Sequence, residues 1–261
     1  MKRLWVLLLP MVLVAVACSS GGADATSDAS GSATDLTVFA ASSLTSAFTQ
    51  IGSDFEVAHA GVHVVFNFAS STDLAAQIAS ERSADVFASA SGTAMDTVAA
   101  DPGVSDRVTF ATNQLVIITP PDNPAGVTSV DSLTAPTVAL VVGAEGVPVG
   151  DYAREMLRNA AIEHAVMTNV VSNEPDDASV VARVAGGEAD AGIVYTSDLA
   201  AAGDSVSSIA ISGRINVTAT YPAALVVGGV NRELAQAFVA FLISPQGQVI
   251  LQSYGFGSPS G

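Results

Sequence analysis

Ala40-Ala41-Ser42-Ser43-Leu44 and Phe68-Ala69-Ser70-Ser71-Thr72 decide the reading of this chain. Each ends a short run suited to a β-strand, residues 36–40 and 62–68, and opens a segment with helical periodicity. After the first turn Leu44, Phe48, Ile51 and Phe55 recur at steps of four, three and four, which places them on one helix face. After the second, Leu74 and Ile78 do the same. A helix start carries unpaired backbone N–H groups and the positive end of the helix dipole, and serine hydroxyls add neutral donors. Two such starts facing each other suit a small oxyanion, so the chain reads as an anion receptor.

The same strand-turn-helix logic continues outward. Asp85-Val86-Phe87-Ala88 reads as a third strand, and two β runs follow at 108–111 and 115–119, closed by a Pro/Gly-rich loop over 120–126. A second block then predicts strands at 137–142, 166–171 and 191–195, with helices from about Asp151 and over Val180, Val181 and Val184. A strand at 223–227 leads into a closing helix bearing Leu234, Phe238, Phe241 and Leu242, stopped near Ser244-Pro245. Alternating strands and helices predict an α/β fold with mostly parallel sheets. Two blocks joined by β-type crossovers predict two lobes, 35–114 with 222–261 and 115–221, with the ligand cleft between them at the carboxyl ends of the strands.

The first residues point to a location. Lys2 and Arg3 precede an apolar run over 4–17, too short for a membrane-spanning helix and typical of a secretory signal peptide, here 1–17. Ala15-Val16-Ala17-Cys18 resembles a bacterial lipobox, so Cys18 is expected to carry lipid on the extracytoplasmic face of the membrane. Residues 18–34, rich in Ser, Gly, Ala and Asp, then serve as a flexible tether. Cys18 is the only cysteine, which excludes an intrachain disulfide.

Charge narrows the partners. The whole chain carries a formal −16, and without Lys2 and Arg3 it has 7 Lys+Arg against 25 Asp+Glu, or −18. A nucleic-acid partner is excluded on that balance. The expected mature chain has no lysine and no arginine in either serine turn, so an anion would be held by uncharged dipoles.

Thr37-Val38-Phe39-Ala40-Ala41-Ser42-Ser43-Leu44, Phe68-Ala69-Ser70-Ser71, Ala84-Asp85-Val86-Phe87, Val147-Pro148-Val149-Gly150, Gly192-Ile193-Val194-Tyr195 and Tyr221-Pro222 occur in the order and approximate spacing of the molybdate-binding proteins of ABC transporters. The chain resembles that family over nearly all of 36–257. The resemblance implies a type 2 periplasmic-binding-protein fold that closes on molybdate or tungstate and delivers it to a membrane permease, without a cofactor and without catalysis, as a monomer. It also implies the contacts. Ser43 and Ser71 would give hydroxyl and backbone N–H, Val149 its backbone N–H, and Tyr195 its phenol. Asp177 would give a backbone N–H where the family commonly has valine, and its carboxylate is compatible with a dianion if it points outward to cap the helix.

Other readings compete. Ser43 and Ser71 taken singly are ordinary helix caps, and Tyr195 taken singly is a buried strand-end aromatic. An inward Asp177 would accept a hydrogen bond from a protonated oxyanion and favour hydrogen phosphate; sulfate is a further alternative. A serine hydrolase would need a positioned base and usually a G-x-S-x-G elbow, which is absent. His59 and His63 have no third ligand nearby, and Gly143, Gly146 and Gly150 lack the ending of a phosphate loop.

Overall fold

The computed structural model describes residues 33–259. The expected signal peptide, Cys18 and the tether up to residue 32 lie outside the described residues; Thr34 is already the first residue of a strand.

The first half of the fold contains β1 (Thr34–Ala41), α1 (Thr45–Ala58), β2 (Val62–Ala69), α2 (Ser71–Glu81), β3 (Val86–Ala88) and α3 (Gly92–Ala100). A long strand, β4 (Val104–Thr119), leads into the second half. There follow β5 (Leu140–Gly143), α4 (Pro148–Asn159), α5 (Glu163–Met167), β6 (Val170–Glu174), α6 (Asp177–Ala185), β7 (Ala191–Tyr195), α7 (Asp198–Ala202) and β8 (Ser207–Ala210). The chain returns to the first half through β9 (Thr218–Val226), then α8 (Arg232–Leu242) and α9 (Pro245–Ser253).

The strand order is β2-β1-β3-β9-β4-β7-β5-β6, with β8 beside β4. The strands that feed helices pair in parallel, β1 with β2 and β3, and β5 with β6 and β7; the crossover strands β4 and β9 pair antiparallel. The sheet is therefore mixed. β4 belongs to both halves, because it pairs with β9 up to Gln114 and with β7 and β8 from Leu115 onward.

Side-chain alternation builds three layers in each half. Leu36, Val38 and Ala40 of β1 face one core, which continues into the second half through Leu115, Ile117, Ile193 and Tyr195 and is covered by α1, α4, α8 and α9. The opposite face of β1, at Phe39, packs with Phe87 under α2 and α3. In the second half Val116, Ile118 and Val194 pack under Val180 and Val184 of α6. Leu44, Phe48, Ile51 and Phe55, which the periodicity placed on one face, are all fully buried. Complete burial of such side chains is worth about 1.5–3 kcal/mol each.

Two elements differ from the sequence reading. The two runs expected at 108–111 and 115–119 form one strand, since the polar Thr112-Asn113-Gln114 between them continues pairing with β9. The strand expected at 166–171 begins at Val170, and Val166 lies buried in α5 instead. The helix bearing Leu234, Phe238, Phe241 and Leu242 does stop before Ser244-Pro245, and Pro245 then opens a further helix, α9, whose N-cap is Ser244; at that first position proline's missing N–H costs nothing.

Candidate functional site: an oxyanion cavity at three helix starts

The turns after β1, β2, β3, β5 and β6 and the last residue of β7 enclose a small cavity. Ala41, Ser42, Ser70, Ser71, Ala90, Val147, Pro148, Val149, Asp177 and Tyr195 line it, and it holds about 10 Å³, the space of about one water centre. Two larger cavities flank it. One, of about 300 Å³, shares Ser42 and Asp177 with it; the other, of about 420 Å³, shares Pro148.

Three α-helices begin at this wall. The first helical bonds run from the N–H of Leu74 to Ser70 O, of Asp151 to Val147 O, and of Val180 to Asp176 O. The N–H groups of Ser71, Val149 and Asp177 precede those bonds, so the helix ladder leaves them without a partner. Gly150 makes the approach of α4 possible, because a Cβ there would collide with the carbonyl oxygens of Gly143 and Ala144. Pro148 at the first helical position lacks an N–H and leaves Val149 as the first donor.

Side chains supply two further donors. Ser71 is 1% exposed, and its Oγ accepts the N–H of Ala90 at 2.9 Å, which leaves its hydroxyl hydrogen free to donate. Tyr195 ends β7, also 1% exposed, and its hydroxyl has no hydrogen-bond partner. Its ring is held edge-on by Tyr152 and Tyr221, at centroid distances of 6.5 and 6.0 Å. Burial pushes the Tyr195 phenol well above its usual value, so it stays a neutral donor. Among the described residues, no arginine, lysine or histidine lines the cavity.

Ser71, Val149, Asp177 and Tyr195 thus share one wall, whereas Ser43 does not. Residues Ser42–Leu44 form a 3-10 turn, closed at its C-terminal end by Thr45 N–H donating to Ser42 O, and Ser43, as its second residue, has an N–H ahead of the helix ladder. That tighter turn places Ser42 on the cavity wall and aims the Ser43 hydroxyl at Tyr221, 2.9 Å away. Ser42 was not singled out by the sequence, which offers two adjacent serines and no signal to choose between them.

Asp177 departs most from expectation. Capping falls to Asp176, whose carboxylate accepts the N–H of Ser179 at 2.7 Å. The Asp177 side chain turns inward instead, 4% exposed, and accepts the Ser42 hydroxyl from the other half of the molecule. Asp198, at the start of α7 and 6% exposed, lines the flanking cavity of about 300 Å³ together with it. A second link between the halves runs from Thr72 Oγ1 to Gly146 O at 2.6 Å.

Comparisons with known proteins agree with this architecture. The family model for bacterial extracellular solute-binding proteins matches residues 36–257. The molybdate-binding protein ModA of Mycobacterium tuberculosis is 37% identical over 256 residues, covering 97% of both chains. ModA of Escherichia coli is 35% identical over 239 residues, covering 85% of this chain and 88% of that one. Among solved structures, the substrate-binding domain of a putative molybdenum ABC transporter from Clostridium difficile superposes with a TM-score of 0.67 at 28% identity. It covers 86% of this chain and 99% of that one. A family match over most of the chain, together with relatives of this identity and coverage, leads to one conclusion: the chain belongs to the bacterial extracellular solute-binding proteins, in the group that contains ModA.

Proposed function

We propose that the protein captures molybdate, and tungstate as its near-isosteric analogue, outside the cytoplasm for an ABC importer. One observation carries the reading: two buried hydroxyls with unspent hydrogens, on Ser71 and Tyr195, meet the starts of three helices around a cavity with no cationic side chain. Such a set matches a fully deprotonated tetrahedral oxyanion, which only accepts hydrogen bonds. Ser71 gives its hydroxyl and N–H, Val149 and Asp177 their N–H groups, and Tyr195 its phenol. Ser43, off the cavity wall and with its hydroxyl engaged by Tyr221, is the member of the set that reaches the ligand only through its N–H as the halves close. The ligand, touched from both halves, favours their closed arrangement by its higher affinity for it, and the permease reads that arrangement.

In this reading residues 35–114 with 222–261 form one lobe and 115–221 the other. The chain acts as a monomer anchored by lipid on Cys18 after removal of residues 1–17. It turns nothing over, since the serines have no histidine or lysine beside them in the cavity. Stoichiometric labelling of Ser42, Ser43 or Ser71 by a fluorophosphonate would overturn that last statement.

A thermal-shift panel with molybdate, tungstate, sulfate and phosphate tests the ligand. A ligand bound only by the folded state at about 100 times its Kd adds about 2.7 kcal/mol. Stabilisation by molybdate and tungstate that disappears in Ser71→Ala and Tyr195→Phe is the expected result. The inward carboxylate of Asp177 favours one second reading, a receptor for a protonated oxyanion such as hydrogen phosphate. Phosphate displacing molybdate in competition calorimetry would select it.

A further inference from the structure

Two buried carboxyls beside an anion cavity need an explanation that helix starts do not supply. Asp177 and Asp198 come from different helices, are 4% and 6% exposed, and line the same cavity of about 300 Å³. Each is anchored on its other side. Asp177 Oδ1 accepts the Ser42 hydroxyl, and Asp198 Oδ2 accepts the Tyr195 N–H at 2.8 Å. Asp177 Oδ2 remains buried with no N–H or O–H partner. A proton held between the two carboxyls supplies that partner.

We propose that Asp177 and Asp198 form a proton-sharing carboxyl pair that sets the charge of the oxyanion site, so that capture of a dianion takes up a proton and weakens as pH rises. The inference rests on the oxyanion reading above and goes beyond it by naming what neutralises the site.

Among the described residues no cationic side chain lines the cavities that hold the pair, and Arg154 of α4 is spent on Gly143 O, Gly150 O and Asn173 Oδ1. On α6 itself the charged groups are Asp176, whose negative charge adds to the problem, and Arg183, whose guanidinium is taken by Glu174 of β6 and by Glu188. β7 presents Tyr195 and β9 presents Tyr221, both held protonated by burial. The Ser42–Leu44 turn and β5 present no titratable group. The charged residues of β4, Asp106 and Arg107, are engaged with Arg232 and Asp96. Beyond α7 the next titratable residue is Asp204, again acidic. Burial is the largest cause raising both carboxyls above the usual carboxylate range, and Asp198 is raised further by the charge of Asp177. Removing the last proton would leave two adjacent anions facing a dianion, and the pair therefore titrates as a unit whose protonated form binds. Both carboxyls also line the cavity of about 300 Å³, which gives water a route to exchange the proton.

Calorimetric titration of the purified protein with sodium molybdate, in buffers of different ionisation enthalpy between pH 6 and 9, reads the linkage. The expected result is uptake approaching one proton per molybdate at the alkaline end, with affinity falling about tenfold per pH unit there. The double variant Asp177→Asn, Asp198→Asn should take up no proton on binding and show an affinity that no longer changes with pH. Infrared spectroscopy of the ligand-free native protein should show a carboxylic-acid C=O band at pH 7 that the double variant lacks, and this readout needs neither molybdate nor a folded variant to detect the band. Molybdate binding with no proton uptake and constant affinity overturns the proposal. So does affinity that follows potassium concentration at fixed pH, which would make a bound cation the neutralising charge. Absence of molybdate binding at every pH with the acid band present would end the ligand assignment and leave the proton pair standing.

Discussion

The two Ala-Ser-Ser turns are nearly identical in sequence and are spent differently. At the second, Ser70 caps α2 by accepting the Asp73 N–H and donates its own hydrogen to Asp73, so the cap is self-contained. Ser71 is then free to line the cavity with an uncommitted hydroxyl hydrogen. At the first, neither serine caps a helix through its side chain. Ser42 reaches across to Asp177 in the other half, and Ser43 reaches Tyr221 on β9. The second turn is a donor held by its own helix, whereas the first is a joint between elements distant in sequence. What separates them is the helix that follows. Ser70 is the N-cap of α2 and faces its own third residue, whereas the 3-10 turn has Ala41 at its cap, so Ser42 and Ser43 both lie past it and bond to tertiary partners.

Substitutions can break this contrast, and the largest effect belongs to the free donors. Losing a hydrogen bond to a charged acceptor costs about 1.5–3 kcal/mol, so Ser71→Ala or Tyr195→Phe should weaken molybdate binding by roughly 10- to 150-fold in calorimetry. A loss below threefold for both would remove the second turn from the site. Ser42→Ala should act first on stability, because it takes the hydroxyl from buried Asp177 Oδ1. A cost of about 1–3 kcal/mol is expected in urea unfolding of the ligand-free protein. Ser70→Ala should cost about 1 kcal/mol, the worth of an N-cap, with affinity nearly unchanged. Ser43→Ala should have the smallest effect on binding because its N–H survives; if it matches Ser71→Ala instead, the first turn also delivers a hydroxyl to the ligand.

Stability against pH sharpens the same contrast, since only the first turn touches the carboxyl pair. Asp177 and Asp198 have raised values in the folded state. Their contribution is therefore fully present below the unfolded carboxylate value of about 4 and is lost as pH climbs toward the folded values. Chemical unfolding of the ligand-free protein at a series of pH values should show this decline in the native chain and its absence in the double asparagine variant. Ser70→Ala should lower the whole curve without changing its slope.

Much of this was legible because periodicity reports which face a side chain takes. The α1 stripe and the strand ends carrying Ser71 and Tyr195 follow from local pattern alone. Residues whose meaning is tertiary were not legible. Thr112-Asn113-Gln114 reads as a break between strands, yet Asn113 is buried, donating to Ser197 Oγ at 2.8 Å and accepting from Thr196 Oγ1 at 2.8 Å. The apolar run around Val166 fits a helix as readily as a strand, and only packing decides. Asp198 carried no local signal at all, because its significance is its distance from Asp177, 21 positions earlier in the sequence.

The long β4 strand has a mechanical consequence. It leaves β9 at Gln114 and joins β7 at Leu115 without interrupting its backbone, so separating the halves bends a continuous ribbon at that handover instead of loosening a slack connector. In the two-lobed reading proposed above, ligand release works against an elastic element that recoils on its own, and amides on either side of residue 114 should remain protected from solvent exchange as the lobes open.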